Sequence, residues 1–193
     1  YYQYSIVDLI QQNIKISIQQ IKTYFRQMLI SIETLHTKGY IHRDIKPDNF
    51  LLSPNNEIKL IDFGFSIKSD DISDKDKVSA YIVGTDGYIA PEILLGSTEY
   101  GIEVDIWSLG CTFYEILTHE KIIFNHFSDS QIAHQMIEIF GFPNEDDFPK
   151  FNSFTNKELF LNNRTHQKTT IEQILDHKLK DEYKIFNPIL IGM

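Results

Sequence analysis

Apolar residues at Ile18, Ile21, Phe25, Met28, Ile32 and Leu35 recur three and four positions apart, the spacing that lines one face of an α-helix. The pattern predicts a long helix from Ser17 to Lys38. Ser17 and Gln20 form a capping-box pair at its start, and Gly39 stands where a left-handed residue would end it. A shorter helix is expected around Ile6 to Gln12. Further on the pattern changes: Asn49-Phe50-Leu51-Leu52 and Glu57-Ile58-Lys59-Leu60-Ile61 flank Ser53-Pro54-Asn55-Asn56. The turn formers between two short apolar runs predict a small β-hairpin.

The stretch Ser69 to Lys77 is polar and aperiodic and predicts a loop. From Ile102 to Thr118, Ile106, Trp107, Leu109, Phe113, Ile116 and Leu117 crowd every side of a helix, which suits the centre of a bundle. Further helices are expected from Asp129 to Phe140 and from Thr169 to His177, the last capped by Thr169 with Glu172. Gly141 to Pro149 breaks the pattern between them. The expected fold is mainly α, a helical bundle with one small β-hairpin.

Composition narrows the function classes. The 42% hydrophobic and 23% charged residues describe a globular chain with a core. A net charge of -9 argues against non-specific nucleic-acid or acidic-membrane binding, which reward clustered Lys and Arg. Cys111 is the sole cysteine, so no internal disulfide can form, and its apolar surroundings suit packing rather than redox chemistry. No apolar run approaches the roughly 18 residues of a membrane span, and the start shows no signal-peptide pattern. A cytoplasmic or nuclear location is expected, and the missing initiator Met suggests an internal piece of a longer protein.

The chemistry concentrates in His42-Arg43-Asp44-Ile45-Lys46-Pro47-Asp48-Asn49 and in Asp62-Phe63-Gly64, which the hairpin brings back towards Asp44. Moving a γ-phosphoryl group requires oxygen ligands for metal ions, a carboxylate to take the acceptor hydroxyl's proton, and a fixed cation. This stretch can supply each of them. Taken singly, each aspartate would more often be a turn residue or a cap; the constellation reverses those odds.

With Ala90-Pro91-Glu92 following, the three motifs in this order and spacing resemble the C-terminal lobe of a eukaryotic protein kinase of the serine/threonine type. The resemblance implies one partial domain over residues 1–193, with a catalytic loop at 42–49 and an activation segment at 62–92. It implies Asp44 as catalytic base, Lys46 reaching the γ-phosphate of ATP, Asn49 and Asp62 binding Mg²⁺, and Leu51 beneath the adenine ring. Thr85 would position the substrate by hydrogen bonds to Asp44 and Lys46. Lys46 and Thr85 favour Ser or Thr on a protein substrate as acceptor. His42 and Phe63 resemble a stacked structural spine, and Asp105 the anchor of the catalytic-loop backbone. Arg43 resembles the arginine that awaits a negative charge on the activation segment, supplied by phosphorylation of Ser79 or Tyr81, or by Asp70, Asp71, Asp74 and Asp76.

Pro91 to Gly96 and Val104 to Cys111 are similar to cyclin-dependent and related kinases. Gly84-Thr85-Asp86-Gly87-Tyr88 and Asn49-Phe50-Leu51 are closer to the replication-origin-firing cell-division-cycle kinase. Lys168 stands where the family has an arginine pairing with Glu92, which weakens that pair. Pro149 to Gln167 is shorter than its counterpart in the family. No glycine-rich phosphate loop, strand lysine or partner glutamate precedes the catalytic loop, so the N-terminal β-lobe is expected to be absent. Any regulatory subunit would act through that lobe. The alternative expectation is a truncated or decaying kinase that serves as a non-catalytic binding module.

Overall fold

The computed structural model describes residues 4–71, 83–95, 97, 100–120, 128–141, 158 and 170–193. Strand β1 (Tyr4–Ser5) leads into helix α1 (Ile6–Gln11), where Ser5 and Asp8 form a capping box. Helix α2 (Ile18–His36) starts at the expected Ser17–Gln20 box. It ends two residues before Lys38, and Gly39, at φ +74°, turns the chain just beyond it.

The hairpin is β3 (Phe50–Leu52) and β4 (Ile58–Leu60), antiparallel with Phe50 opposite Leu60 and Leu52 opposite Ile58. β1 adds a third strand on the far side of β3, with Tyr4 opposite Leu52. A separate ribbon pairs β2 (Tyr40–Ile41) with β5 (Ile67–Lys68), so Ile41 lies opposite Ile67. β1 and this ribbon were not expected: two-residue strands carry no periodicity to read. The ribbon matters because it ties the residues just before His42 to those just after Gly64.

Helix α3 (Pro91–Leu94) is short, with Pro91 in its first turn. Helix α4 (Glu103–Thr118) matches its expected span and is buried on nearly every side. It separates two apolar clusters. Leu109, Phe113, Tyr114, Ile116 and Leu117 pack with α1, α2 and the hairpin. Val104 and Cys111 pack with Ile41, Ile67, α3 and helix α5 (Asp129–Phe140), whose bounds are those expected. Phe113 is the hinge of the first cluster, stacked on Phe25 at 4.0 Å and edge-on to Phe186 at 5.4 Å.

Helix α6 (Ile171–Lys178) corrects the sequence reading by one residue: its cap is Thr170 with Gln173, not Thr169 with Glu172. Two adjacent threonines each have a partner three residues on; starting one residue later leaves Glu172 free for the exposed first turn and Leu175 fully buried. A 3-10 turn (Asp181–Phe186) and helix α7 (Asn187–Ile191) close the chain and were not expected. There Tyr183 donates its buried hydroxyl to the carbonyl of Ile16 at 2.9 Å, joining the chain's two ends. Lys168 and the segment from Pro149 to Gln167 lie outside the described residues.

Candidate active site

The His42–Asn49 loop leaves β2 and is held from below by α4. Asp105, fully buried in the first turn of α4, accepts the backbone N–H of His42 at Oδ2 (2.8 Å) and that of Arg43 at Oδ1 (2.9 Å). This is the anchor expected of it. Arg43 needs it, because its φ of +66° is a left-handed conformation that a side chain disfavours. A third donor, Nε2 of His36 at the end of α2, reaches Asp105 Oδ2 at 2.7 Å.

His42 is itself fully buried. Burial pushes its pKa down more than the nearby Asp105 and other carboxylates raise it. Its Nδ1 accepts the N–H of Asp44 (3.3 Å), so Nε2 carries the proton given to the carbonyl of Ile61 (3.1 Å). The ring also meets Phe63 edge-on at 5.2 Å. One imidazole thus ties Asp44 to the residues before Asp62.

Three sequence-predicted residues converge on Asp44. Thr85 donates its hydroxyl to Asp44 Oδ1 at 2.6 Å, and Lys46 Nζ lies 2.9 Å from Oδ2 while donating to the Thr85 oxygen at 2.7 Å. Asn49 Nδ2 donates to the carbonyl of Asp44 (2.8 Å) and to its Oδ2 (3.2 Å). Burial alone would raise the pKa of Asp44, but the hydrogen bonds from Thr85, Lys46 and Asn49, with the Lys46 charge, more than offset it and hold the carboxyl below its ordinary value. The carboxylate is held in place by three side chains and favoured in its ionised form. Its close cation is Lys46, not the adjacent Arg43.

Thr85 reaches Asp44 because Gly84 lets its stretch of chain lie against the loop. Gly84 has φ +122°, and a Cβ there would stand 2.9 Å from the carbonyl oxygen of Arg43.

Asn49 and Asp62 are brought side by side by the backbone: the N–H of Ile61 donates to the carbonyl of Asn49 at 3.0 Å. Asn49 spends its amide nitrogen on Asp44, which leaves Oδ1 without a donor among the described residues. Asp62 is exposed, at φ +59°, and among the described residues accepts only the N–H of Gly64, at 3.2 Å. Two hard oxygens with spare lone pairs suit Mg²⁺, which takes one or two protein ligands and completes its shell with phosphate and water. No cluster of three His, Cys, Asp or Glu competes among the described residues.

Arg43 donates from Nε to the carbonyl of Phe65 (2.7 Å) and from Nη1 to the Tyr100 hydroxyl (2.8 Å). Ser79, Tyr81, Asp74 and Asp76 lie outside the described residues. Leu51 is half-buried in the middle strand, between Ser5 and Lys59. The sequence reading missed His36, Tyr100 and Glu115. Glu115 is a buried acid of α4 beside the hydroxyl of Tyr88, whose pKa burial and that carboxylate push far up. Each acts across a long stretch of chain, and no local spacing signals it. Cys111 is buried in the second apolar cluster, and burial pushes its thiol pKa up, which suits packing rather than reactivity.

The chain is similar to known proteins. The protein kinase domain family matches residues 2–180. A cyclin-dependent kinase C-2 C of Arabidopsis thaliana is 37% identical over 164 residues, covering 85% of this chain and 25% of that protein. The serine/threonine-protein kinase ppk23 of Schizosaccharomyces pombe is 35% identical over 132 residues, 68% of this chain and 32% of that protein. Mitogen-activated protein kinase 5 of Oryza sativa is 35% identical over 142 residues, 72% and 36% of the two. Among solved structures, a chain of the yeast RNA Pol II CTD kinase CTDK-1 complex superposes with a TM-score of 0.80 at 27% identity, covering 94% of this chain and 59% of that one. The chain therefore spans only about a quarter to a third of its curated relatives' length. With the family match running nearly from end to end over a kinase-like fold, the chain belongs to the protein kinase domain family, among relatives that are serine/threonine protein kinases.

Proposed function

We propose that residues 1–193 form the C-terminal lobe of an ATP- and Mg²⁺-dependent serine/threonine protein kinase, with the catalytic loop at 42–49 and the activation segment at 62–92. The observation that carries this reading is the triangle of Asp44, Lys46 and Thr85, each pair within 2.9 Å. Asp44 would orient the acceptor hydroxyl and take its proton at a carboxylate oxygen. Thr85 would fix the carboxylate's rotation and, beside the acceptor, favour Ser or Thr. Lys46 would hold positive charge where the transferred phosphoryl group gains negative charge. Asn49 and Asp62 would hold Mg²⁺ through Oδ1 and a carboxylate oxygen. Magnesium, when bound, neutralises phosphate charge and aligns the phosphoryl group. Leu51 would pack beneath the adenine, and Arg43 would answer to charge on the activation segment, including phosphorylated Ser79 or Tyr81.

The partners in this reading are a protein substrate and a regulatory subunit. Transfer by residues 1–193 alone would be negligible, because no glycine occurs before Gly39 to form a phosphate loop, and Lys15 and Lys22 sit beside or within α2.

The test is γ-phosphoryl transfer from labelled ATP to a Ser/Thr substrate by the full-length polypeptide that carries this chain. Asp44→Asn is expected to lower kcat by about 10²–10⁴, the range for a lost general base, and Asp62→Asn to lose most of the transfer by removing a Mg²⁺ ligand. Equal rates for wild type and Asp62→Asn would sink the reading.

A further inference from the structure

Resting on the kinase reading above, we propose that His36 is a positioning residue for the transfer: its Nε2–H locks the Asp105 carboxylate, and Asp105 in turn sets the backbone that carries Asp44. His36 closes α2, and its side chain is 9% exposed against a fully buried Asp105. The 2.7 Å contact spans 69 residues of sequence.

A carboxylate turns readily about its last torsion, where the energy profile is broad and two-fold. The two backbone donors, His42 N on Oδ2 and Arg43 N on Oδ1, come from adjacent residues of one loop. His36 comes from another element and shares Oδ2, so it fixes the rotation that those two amides require. It also supplies a third hydrogen bond to a carboxylate that has no water to turn to.

The consequence runs along the backbone. Arg43 is held at φ +66° by its bond to Oδ1, and Asp44 follows it directly. A loosened carboxylate would let Arg43 relax towards an ordinary φ and carry Asp44 out of register with Thr85 and Lys46. Misplacing a reacting group by an ångström is costly in rate. The plainer explanation is that His36 only ends α2 as a last-turn residue facing the helix carbonyls. Its ring nitrogen instead faces Asp105.

The test compares His36→Leu, which removes the donor, with His36→Gln, whose amide nitrogen has similar reach. Both are made in the full-length polypeptide. Hydrogen exchange is read on peptides spanning residues 40–46 and, as reference, 108–116; ATP-dependent transfer is read beside an Asp44→Asn control. Expected for His36→Leu is roughly tenfold faster exchange at 40–46, the order carried by a lost hydrogen bond to a charged group, with 108–116 unchanged. A kcat drop of about the same factor should accompany it, with KM for ATP within about twofold. His36→Gln should restore both.

Wild-type exchange at 40–46 in His36→Leu, or a folded Gln variant as impaired as Leu, overturns the proposal. Should Leu also speed exchange at 108–116, it has lost its fold, and the Gln variant decides alone by matching or missing wild type. A wild-type protein no faster than Asp44→Asn overturns the kinase reading itself, and the role in transfer with it. In that case the exchange arm still judges whether His36 sets the loop.

Discussion

Replacing Asp105 by asparagine changes two atoms' chemistry and almost no volume, so it isolates the anchor beneath the loop. The fully buried carboxylate accepts His36 Nε2 at 2.7 Å and His42 N at 2.8 Å on Oδ2, and Arg43 N at 2.9 Å on Oδ1. A carboxamide keeps one acceptor oxygen and turns an NH₂ towards whichever donor remains. In the better orientation the oxygen serves His36 and His42, and Arg43 N–H faces a second donor. One charge-assisted bond, about 1.5–3 kcal/mol, is lost, and one buried donor is stranded at about 1–3 kcal/mol. Relief of burying a charge pulls the sum down, so the expected loss is about 3 kcal/mol against a typical total of 5–15. Urea unfolding followed by circular dichroism should show a lower midpoint with an unchanged slope. The melting temperature should fall by about 10 °C, at roughly 2–4 °C per kcal/mol for a chain of this size. A loss below about 1 kcal/mol would refute the reasoning, since it would mean that Asp105 is not the sole support of the two amides.

Phe113→Ala removes the ring shared by Phe25 and Phe186 and should cost about 3–5 kcal/mol in the same unfolding assay; under about 1.5 kcal/mol would show that the first cluster does not depend on this ring. Gly84→Ala places a Cβ 2.9 Å from the Arg43 carbonyl oxygen, so Thr85 should withdraw from Asp44. The folded protein should lose most phosphoryl transfer, about as much as Thr85→Val does, and wild-type turnover in Gly84→Ala would count against the close approach. Glu92 has its pKa raised from 4.5 by burial and by the Glu103 carboxylate, against its own backbone hydrogen bond. The folded state therefore holds that proton more tightly than the unfolded chain; the stabilisation is complete below the ordinary carboxylate value and fades as pH rises through the raised one. Glu92→Gln should gain stability relative to wild type between pH 4 and pH 7, and a pH-independent difference would exclude the effect.

The long elements were legible because each repeats its signal. α2 shows six apolar residues in register and a capping box at its first turn, and α4 shows apolar residues on every face. α5 was read to the residue. The ribbon of Tyr40–Ile41 with Ile67–Lys68 was not legible, since two residues per strand hold no period and the partners stand 26 or more positions apart. The cap of α6 slipped by one because two threonines offered equal local chemistry, and only the burial of Leu175 chooses between them. Asp44, Lys46, Asn49, Asp62 and Thr85 were all named from motifs, and the structure gathers Lys46, Asn49 and Thr85 around Asp44. The contacts of Tyr100 with Arg43 and of Glu115 with Tyr88 were invisible, because a Tyr in a loop and a Glu in a helix look the same whether they face solvent or a partner 20 to 60 residues away.

That difference has a physical origin in how the site is held. Asp44, Lys46 and Asn49 sit within six residues, so their types and spacing can be recognised together. Their positions, however, are imposed by groups that arrive late in the chain. Thr85 comes 41 residues after Asp44, and Asp105 comes 62 and 63 residues after the two amides it accepts. Left alone, the loop would relax: Arg43 and Asp62 both occupy left-handed backbone that costs energy unless the surroundings hold it. Asp105 supplies that hold for Arg43, and the His42 ring reaches the carbonyl of Ile61 just ahead of Asp62. A chain with every motif residue intact but without Asp105 or Gly84 would present the same reagents out of register. In the proposed reading the motif names the chemistry, while the buried carboxylate of α4 and the bare Cα of Gly84 hold its residues in register.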